Sequence, residues 1–398
     1  MKKQKIAVIG AKGLPSSTSG IEIYVEKVCP KLAEKFDVTV FSRKRYCSEI
    51  VKNYKGVRVI HIPSINTKHL DAISYTVFAT VTALIMKYDV FWYHALGPAV
   101  TMFMPHMFSK KIISTVHGLD WKREKFGQFA ARVLKHGEHC IAEYADDIIV
   151  LNRYDAGHFA EKWGRHCRII PNGTDRAAYH EPEIISEKYG LVRGEYILYM
   201  ARIAPEKGLH TLIEAFIRSG ITKKLVIAGS GVHTNNYVQY VRDMAAGNSN
   251  IIFTGHVQGQ EKAELYSSAY AYVLPSTIEG QSIGLLEAMS YGLPCIVSDI
   301  PENLDVIGTG GMSFHVNHAE DLAEKLRYAV ENEAAVNELG RTAKAIVETN
   351  HNWERSIALT IDTISEITHG GGGNTTVEVI VICELMPSPE PYAWGRAA

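Results

Sequence analysis

Two glutamates, Glu279 and Glu287, stand eight positions apart in the segment 274–299, LPSTIEGQSIGLLEAMSYGLPCIVSD. An apolar run at 270–274 predicts a strand, and Glu287 falls on the second turn of a helix that begins near Ser282. The first N–H groups of such a helix lack partners and attract anions, while carboxylates accept hydrogen bonds from sugar hydroxyls. The segment indicates recognition of a sugar nucleotide or, more simply, a turn glutamate beside a solvated helix.

Two cations, Arg202 and Lys207, lie just after another apolar run at 196–200. Open α/β sheets bind ligands at the carboxyl ends of their strands, and two cations there suit a diphosphate. No two aspartates in the chain are separated by a single residue, so the Asp-x-Asp pair that holds a divalent metal in many sugar transferases is missing. We therefore expect Arg202, Lys207 and the helix start at Ser282 and Ile283 to neutralise the diphosphate without a metal. A solvated surface pair is the alternative.

A histidine, His117, closes the apolar run 112–116 and precedes a glycine. At the carboxyl end of a strand its ring can hydrogen-bond a sugar hydroxyl or a phosphate oxygen, although a single histidine is more often structural. The glycine-rich loop 10–20, with Gly13 and Gly20, joins the first strand to the first helix but contains neither GxGxxG nor GK[ST]. The second strand ends without an acidic residue, so NAD is disfavoured, and NADP is only weakly allowed by the nearby arginine.

Composition indicates an ordinary soluble α/β protein of two domains, with 398 residues, 46% hydrophobic, 21% charged and a net charge of −1. The near-neutral charge argues against nucleic acid as a partner. Six scattered cysteines without a Cys-x-x-Cys pair argue against a zinc site or disulfides and favour the cytoplasm. The apolar stretch 70–86 carries Asp71 and is too short for a membrane span, so we expect a helix buried against a sheet.

Short apolar runs alternate with helical patterns through both halves of the chain. That alternation predicts two doubly wound Rossmann-like α/β domains facing across a cleft. Proline, asparagine and glycine punctuate residues 171–182 and mark the break. We place an acceptor-side domain at 1–173, a nucleotide-sugar domain at 174–350, a helix returning to the first domain at 351–368, and a flexible or appended tail at 369–398.

The motifs IGAKGLPSSTSGIEIYVEKV, VHGLDWKREKFG and EGQSIGLLEAMSYGLP resemble glycosyltransferase family 4, the retaining group with the glycosyltransferase-B fold. The resemblance covers residues 5–367 and is closest to a capsular and exopolysaccharide subgroup. It departs at one place, because the common Glu-x-Phe-Gly pattern is Glu279-Gly280-Gln281-Ser282 here. The identity of the donor sugar therefore cannot be taken from the better-known members.

The resemblance implies a role for each candidate residue. Arg202 and Lys207 would hold the diphosphate, and His117 would contact the donor near its reacting centre. Glu287 would bind the ribose and Glu279 the donor sugar, beside the helix start at Ser282 and Ile283. The loop between Gly13 and Gly20 would close over the diphosphate. Gly231 and Val257 would lie in two loops beside the base of the nucleotide.

The expected activity is transfer of a sugar, with retention, from a nucleotide-diphosphate sugar, UDP-sugar being favoured. The acceptor would be a hydroxyl of an oligosaccharide or lipid-linked saccharide in cell-surface polysaccharide synthesis, and no cofactor is expected. A nucleotide-sugar epimerase of related fold and a non-catalytic sugar-nucleotide binding module are the alternatives. An epimerase would convert the donor when incubated with it alone, and a binding module would show no turnover with any acceptor.

Basic and aromatic residues are interleaved between positions 110 and 139, where seven bases outnumber three acids. Such a pattern can dock a protein on anionic lipid, so a peripheral position on the inner face of the plasma membrane is expected. The alternative is a solvated helix face that packs its aromatics inward. The residues concerned are Lys110, Lys111, Lys122, Arg123, Lys125, Arg132 and Lys135, beside Trp121, Phe126 and Phe129.

Overall fold

The computed structural model describes residues 3–15, 20–47, 50–65, 70–123, 127–231 and 234–368. The predicted tail at 369–398, most of the loop between Gly13 and Gly20, and the lipid-contact candidates Lys125 and Phe126 lie outside this set.

The first half of the chain folds around an eight-stranded sheet with the order β3-β4-β2-β1-β5-β6-β7-β8. All neighbouring strands are parallel except the antiparallel pair β3–β4. Its apolar strands are buried on both faces, as the doubly wound arrangement requires. The strands are β1 (Lys5–Ile9), β2 (Asp37–Arg43), β3 (Asn53–Tyr54), β4 (Val57–Ile62), β5 (Val90–His94), β6 (Lys111–Val116), β7 (Asp147–Val150) and β8 (Arg168–Ile169).

Helices α1 (Gly20–Lys35), α2 (Leu70–Ile85), α3 (Phe103–Met107), α4 (Gln128–Tyr144) and α5 (Arg153–Trp163) connect these strands. The stretch predicted as a buried helix is α2, which packs Tyr75 and Ala79 into the apolar core. Its other face is open, since Phe78 is 45% and Ile85 73% exposed. Within the described residues, none of the helices has the length and apolar character needed to cross a membrane.

The second half forms a six-stranded, wholly parallel sheet with the order β11-β10-β9-β12-β13-β14. Its strands are β9 (Tyr196–Met200), β10 (Lys224–Ala228), β11 (Ile251–Gly255), β12 (Ala271–Leu274), β13 (Cys295–Ser298) and β14 (Gly311–Phe314). Its helices are α6 (Ile184–Tyr189), α7 (Leu209–Ser219), α8 (Asn235–Ala245), α9 (Gly259–Ser268), α10 (Ile283–Ser290), α11 (Pro301–Ile307), α12 (Ala319–Glu331) and α13 (Glu333–Asn350). Each sheet has an apolar cluster on both faces.

The last described helix, α14 (Trp353–Thr368), packs on the first sheet rather than the second. Trp353 and Ile364 join the apolar cluster beneath α1, and the hydroxyls of Tyr24 and Thr360 lie 3.0 Å apart. Where the outgoing and returning chains cross, a Cβ on Gly173 would lie 2.3 Å from the Trp353 nitrogen. Glycine is therefore needed at the crossing. Two neighbouring segments of the chain, one outgoing and one returning, connect the two domains.

Candidate active site

The loop after β9 and the loop after β12 bring a lysine and a glutamate together. Gly208 has φ +64°, and a Cβ there would lie 1.9 Å from the Pro275 carbonyl oxygen, so only glycine lets the loops touch. The Lys207 ammonium contacts Glu279, and the Ser276 hydroxyl donates to the same carboxylate oxygen at 2.6 Å. The predicted diphosphate cation and the predicted sugar ligand are thus direct neighbours.

Burial lowers the pKa of Lys207, and the Glu279 carboxylate limits that decrease. The charges of Arg123 and Arg202 lower the Lys207 pKa further, so both guanidinium groups act electrostatically on the ammonium. Arg123 comes from the first domain, is 18% exposed, and pairs with Asp120 at 3.0 Å. Lys207 thus pairs with Glu279 in a part of the cleft where the charges of Arg123 and Arg202 also act, an arrangement suited to an anion with more than one charge.

The second glutamate, Glu287, is held by two side chains of α9. The Lys262 ammonium donates to its Oε1 at 2.5 Å, and the Tyr266 hydroxyl donates to its Oε2 at 3.1 Å. The Glu287 side chain is 23% exposed and thus remains reachable for a hydroxyl group. Sequence reasoning identified Glu287 but not its two partners, which lie more than twenty residues earlier in the chain.

The helix α10 begins as the sequence predicts. Ser282 caps it, since its hydroxyl accepts the Leu285 N–H at 3.4 Å, and Ile283 is the first helical residue. A Cβ on Gly20 would lie 3.6 Å from Ile283 Cδ1, so the first-domain glycine and the second-domain helix start approach each other. The unpaired N–H groups of α10 and the end of the glycine-rich loop share one region of the cleft.

The remaining candidate positions are Gly13, Val257 and Gly231. Gly13 packs inside the first domain, where a Cβ would lie 2.6 Å from the Cys47 sulfur. Val257 is 7% exposed and part of an apolar cluster, so only its backbone is available to a ligand. Gly231 lies beside the loop that carries Arg202, with Ile203 O 3.5 Å from a Cβ built on it. Gly231 and Arg202 therefore border the same loop pair.

His117 sits at the carboxyl end of β6, half-buried against other rings. Its Nε2 is 3.0 Å from His94 Nδ1, and the Tyr24 ring lies edge-on at 5.4 Å between centroids. Burial lowers the pKa of His117 to about 3, so the imidazole is neutral at physiological pH. It can act on a ligand only as a neutral donor or acceptor.

The two domains touch where the His117–Gly118 loop meets the Glu279–Gly280 loop. A Cβ on Gly280 would lie 2.0 Å from the His117 carbonyl oxygen, and one on Gly118 2.9 Å from Gly280 Cα. Two hydrogen bonds reinforce the contact: Asn152 Nδ2 donates to Gly280 O at 2.8 Å, and Asn172 N donates to Gln281 Oε1 at 2.6 Å. Gly280 and Gln281, the latter standing where the common pattern has Phe, therefore bind the first domain.

The expected lipid-contact aromatic Trp121 is turned inward, which corrects that part of the prediction. Its indole N–H donates to the buried Glu138 carboxylate at 2.5 Å, which also accepts from Lys162 at 2.7 Å. Arg123 is likewise largely covered, since its side chain is 18% exposed and pairs with Asp120. Phe129 remains 63% exposed, and Phe103, Met107 and Phe108 on the neighbouring α3 segment are 44%, 74% and 65% exposed.

Among the described residues, no group of three or more histidine, cysteine, aspartate or glutamate side chains is placed to hold a metal ion. The site is built instead from buried and half-buried cations, two carboxylates and a helix start. Two facing Rossmann-like sheets with such a site at their shared edge define the GT-B fold class.

Comparison with known families places the chain within that class. The model described as Glycosyltransferase Family 4 matches residues 18–178, and the model described as Glycosyl transferases group 1 matches residues 182–346. The two matches follow each other and together span most of both domains. The chain belongs to glycosyltransferase family 4, as its motifs predict.

Relatives and solved structures agree with this assignment. Spore coat protein SA of Bacillus subtilis is 24% identical over 88% of this chain and 96% of its own length. A GDP-mannose-dependent phosphatidylinositol monomannoside mannosyltransferase of Mycolicibacterium smegmatis is 23% identical over 71% of this chain and 77% of its own. Sucrose-phosphate synthase from Thermosynechococcus elongatus superposes with a TM-score of 0.79 at 21% identity, covering 92% of this chain and 99% of that one. Anabaena HepE in complex with UDP and glucose gives 0.76 at 15% identity, covering 91% and 99%.

The interdomain contact generates a test. Gly280→Ala should lower turnover by about tenfold or more, because the added methyl group forces the His117 loop away and opens the site to water. Gly157→Ala is the matched control, since a Cβ there meets nothing within 4 Å. Turnover and melting temperature are measured for both. Normal turnover in a folded Gly280→Ala protein would show that this contact is not needed for the reaction.

Proposed function

We propose that this enzyme transfers a sugar from a nucleotide-diphosphate sugar to a hydroxyl of a saccharide or lipid-linked saccharide acceptor, with retention, in cell-surface polysaccharide synthesis. The observation that carries the proposal is the Lys207–Glu279 contact, with Arg202 and the start of α10 nearby. A cation for the diphosphate and a carboxylate for sugar hydroxyls lie side by side in the cleft. UDP is the favoured nucleotide, since the structural neighbour HepE is described in complex with UDP-glucose.

In the proposed reaction the bond between the anomeric carbon and the diphosphate oxygen breaks, and the acceptor oxygen bonds to the same face of that carbon. The acceptor proton moves to the departing phosphate oxygen. Lys207, Arg202, Arg123 and the N–H groups of α10 stabilise the charge that develops on the leaving group. Glu279 is already bound by Lys207 and Ser276, which favours a role in hydroxyl binding over attack on the sugar, the step that retaining hydrolases assign to a free carboxylate.

A polar cluster at the carboxyl end of β2 suits the acceptor. Asp71 accepts from Arg43 at 3.3 Å, from the Tyr46 hydroxyl at 3.3 Å and from the Ser64 hydroxyl at 2.5 Å. The Arg43 guanidinium also lies 4.9 Å from the centre of the Tyr75 ring. Carboxylate, guanidinium and hydroxyl groups side by side are the groups that bind saccharide hydroxyls, and we assign the acceptor to this side of the cleft.

The cations provide the first test of this function. Arg202→Ala or Lys207→Ala should lower activity by about two to three orders of magnitude, because each removes a charge that stabilises the leaving diphosphate. Arg202→Ala is the cleaner variant, since it leaves the Lys207–Glu279 pair intact. Lys325→Ala, a half-exposed lysine on α12, is the control. Chelation with EDTA should leave activity unchanged; activity that EDTA abolishes and manganese restores would contradict the metal-free account.

Substitutions of the two glutamates should have different effects on the binding of free nucleotide and of sugar donor. Glu287→Ala should weaken binding of free UDP and of the donor alike, because its carboxylate would hold the ribose. Glu279→Ala should weaken the donor while leaving UDP affinity unchanged or higher, since Lys207 is then released toward the diphosphate. Calorimetric titration measures both ligands with both variants. Equal losses for nucleotide and donor in the two variants would overturn the assigned roles.

We propose that the enzyme is cytoplasmic and meets a lipid-linked acceptor at an anionic membrane surface through α3. Met107 and Phe108 are exposed there, next to Lys110 and to Lys111, which is 51% exposed. Apolar side chains beside lysines bind anionic bilayers, at ~1 kcal/mol per basic residue near the surface.

Co-sedimentation with liposomes tests the membrane contact. Binding should require anionic lipid, weaken with salt, and fall several-fold in Met107→Ser/Phe108→Ser because the apolar anchor is lost. Val192→Ser, at a 61% exposed position on the second domain, serves as the control and should bind normally. Equal recovery on neutral and anionic vesicles would leave the α3 surface without this role.

A further inference from the structure

A second histidine, His94, is hydrogen-bonded to the candidate active-site residue His117. His94 is the last residue of β5, and β5 pairs with β6, the strand that leads to His117. His94 is completely buried, and its Nδ1 lies 3.0 Å from His117 Nε2. The other nitrogen of His94, Nε2, is buried and has no hydrogen-bond partner in the described part of the chain.

The rings around the pair hold it in place. The Trp92 ring centre is 4.5 Å from that of His94, and the indole N–H of Trp92 donates to Thr115 at 2.9 Å. The Tyr24 ring contacts both imidazoles, at 5.7 Å and 5.4 Å between centroids. Burial also lowers the pKa of both histidines, so two neutral rings share a single proton along their hydrogen bond.

Two arrangements of that proton are possible. If His117 Nε2 donates, His94 carries its own proton on Nε2, and a buried N–H is left without an acceptor. If His94 Nδ1 donates, its Nε2 is a buried lone pair without a donor in the described part of the chain, and His117 is protonated on Nδ1. Buried N–H groups without an acceptor are rarer in proteins than under-used acceptors. The second arrangement is therefore favoured.

We propose that His94 is a positioning residue that fixes the tautomer of His117, so that His117 presents an Nδ1–H donor to an oxygen of the sugar donor. The inference rests on the proposed sugar transfer for its functional consequence, but the tautomer itself does not depend on it. A neutral N–H donor binds a phosphate or hydroxyl oxygen without gaining or losing charge as the pH passes through 6 to 8. His94 would thus determine which nitrogen of His117 carries the proton, and therefore that His117 donates a hydrogen bond to the sugar donor.

Nitrogen-detected NMR of histidine-labelled protein at pH 7 tests the tautomer directly. The His117 signals are identified by their loss in His117→Gln. In the wild-type protein His117 should be protonated on Nδ1. In His94→Leu the dominant tautomer of His117 should change to Nε2–H, because Nε2 no longer accepts a hydrogen bond from His94. In His94→Asn the Nδ1–H form should return, because the Asn amide can donate from nearly the same place. Nε2–H in the wild type, or an unchanged spectrum in folded His94→Leu, would overturn the proposal.

Activity supplies the second readout. His94→Leu should lower turnover by about tenfold or more with unchanged affinity for free UDP, and His94→Asn should restore most of the loss. A purely packing role predicts the opposite order, with Leu better tolerated than Asn, and would refute the assignment. If wild-type protein shows no transferase activity but the NMR result holds, the proposed function fails while the tautomer assignment stands. Melting temperatures confirm that each variant is folded.

Discussion

The contact between the Gly118 loop of the first domain and the Gly280 loop of the second is the constraint on which the site depends. Neither loop tolerates a Cβ there, since the carbonyl of His117 lies where one on Gly280 would be. Because these loops meet, His117 and Arg123 reach the region of Lys207 and Glu279, although they belong to different sheets. The crossing of chains at Gly173 and Trp353 joins the domains a second time, behind the cleft.

Charge within the cleft is unevenly distributed in a way that suits the proposed chemistry. Burial lowers the pKa of Lys207, so its charge is costly without an anion, and Glu279 supplies one in this structure. A diphosphate would offer more negative charge at the same place, close to Arg123, Arg202 and the start of α10. His117 is neutral, so it would contribute a directional hydrogen bond rather than a charge. The leaving group and the sugar would thus be handled by different kinds of group.

The fold followed from the sequence to a large extent because apolar runs of four to six residues alternate with helices. The strands of both sheets that flank the site were predicted at these positions, and so was the cap of α10 at Ser282. The elements that were missed are short: β3 has two residues, α3 five, α6 six, α11 seven and β14 four. Arg202, Lys207 and Glu279 stood out because each follows a strand. His94, Arg123, Lys262 and Gln281 act through partners distant in sequence, and no local pattern could reveal them.

Binding of nucleotides by the folded protein tests the central claim most directly. The melting temperature is measured with millimolar UDP, GDP, ADP and their common sugar conjugates, with and without EDTA. A ligand that binds only the folded state raises it according to concentration and affinity. The account predicts an increase of several degrees with at least one nucleotide sugar, unchanged by EDTA and lost in the Arg202→Ala/Lys207→Ala double variant. No increase with any nucleotide or nucleotide sugar would contradict the assignment of this cleft to a sugar-nucleotide donor.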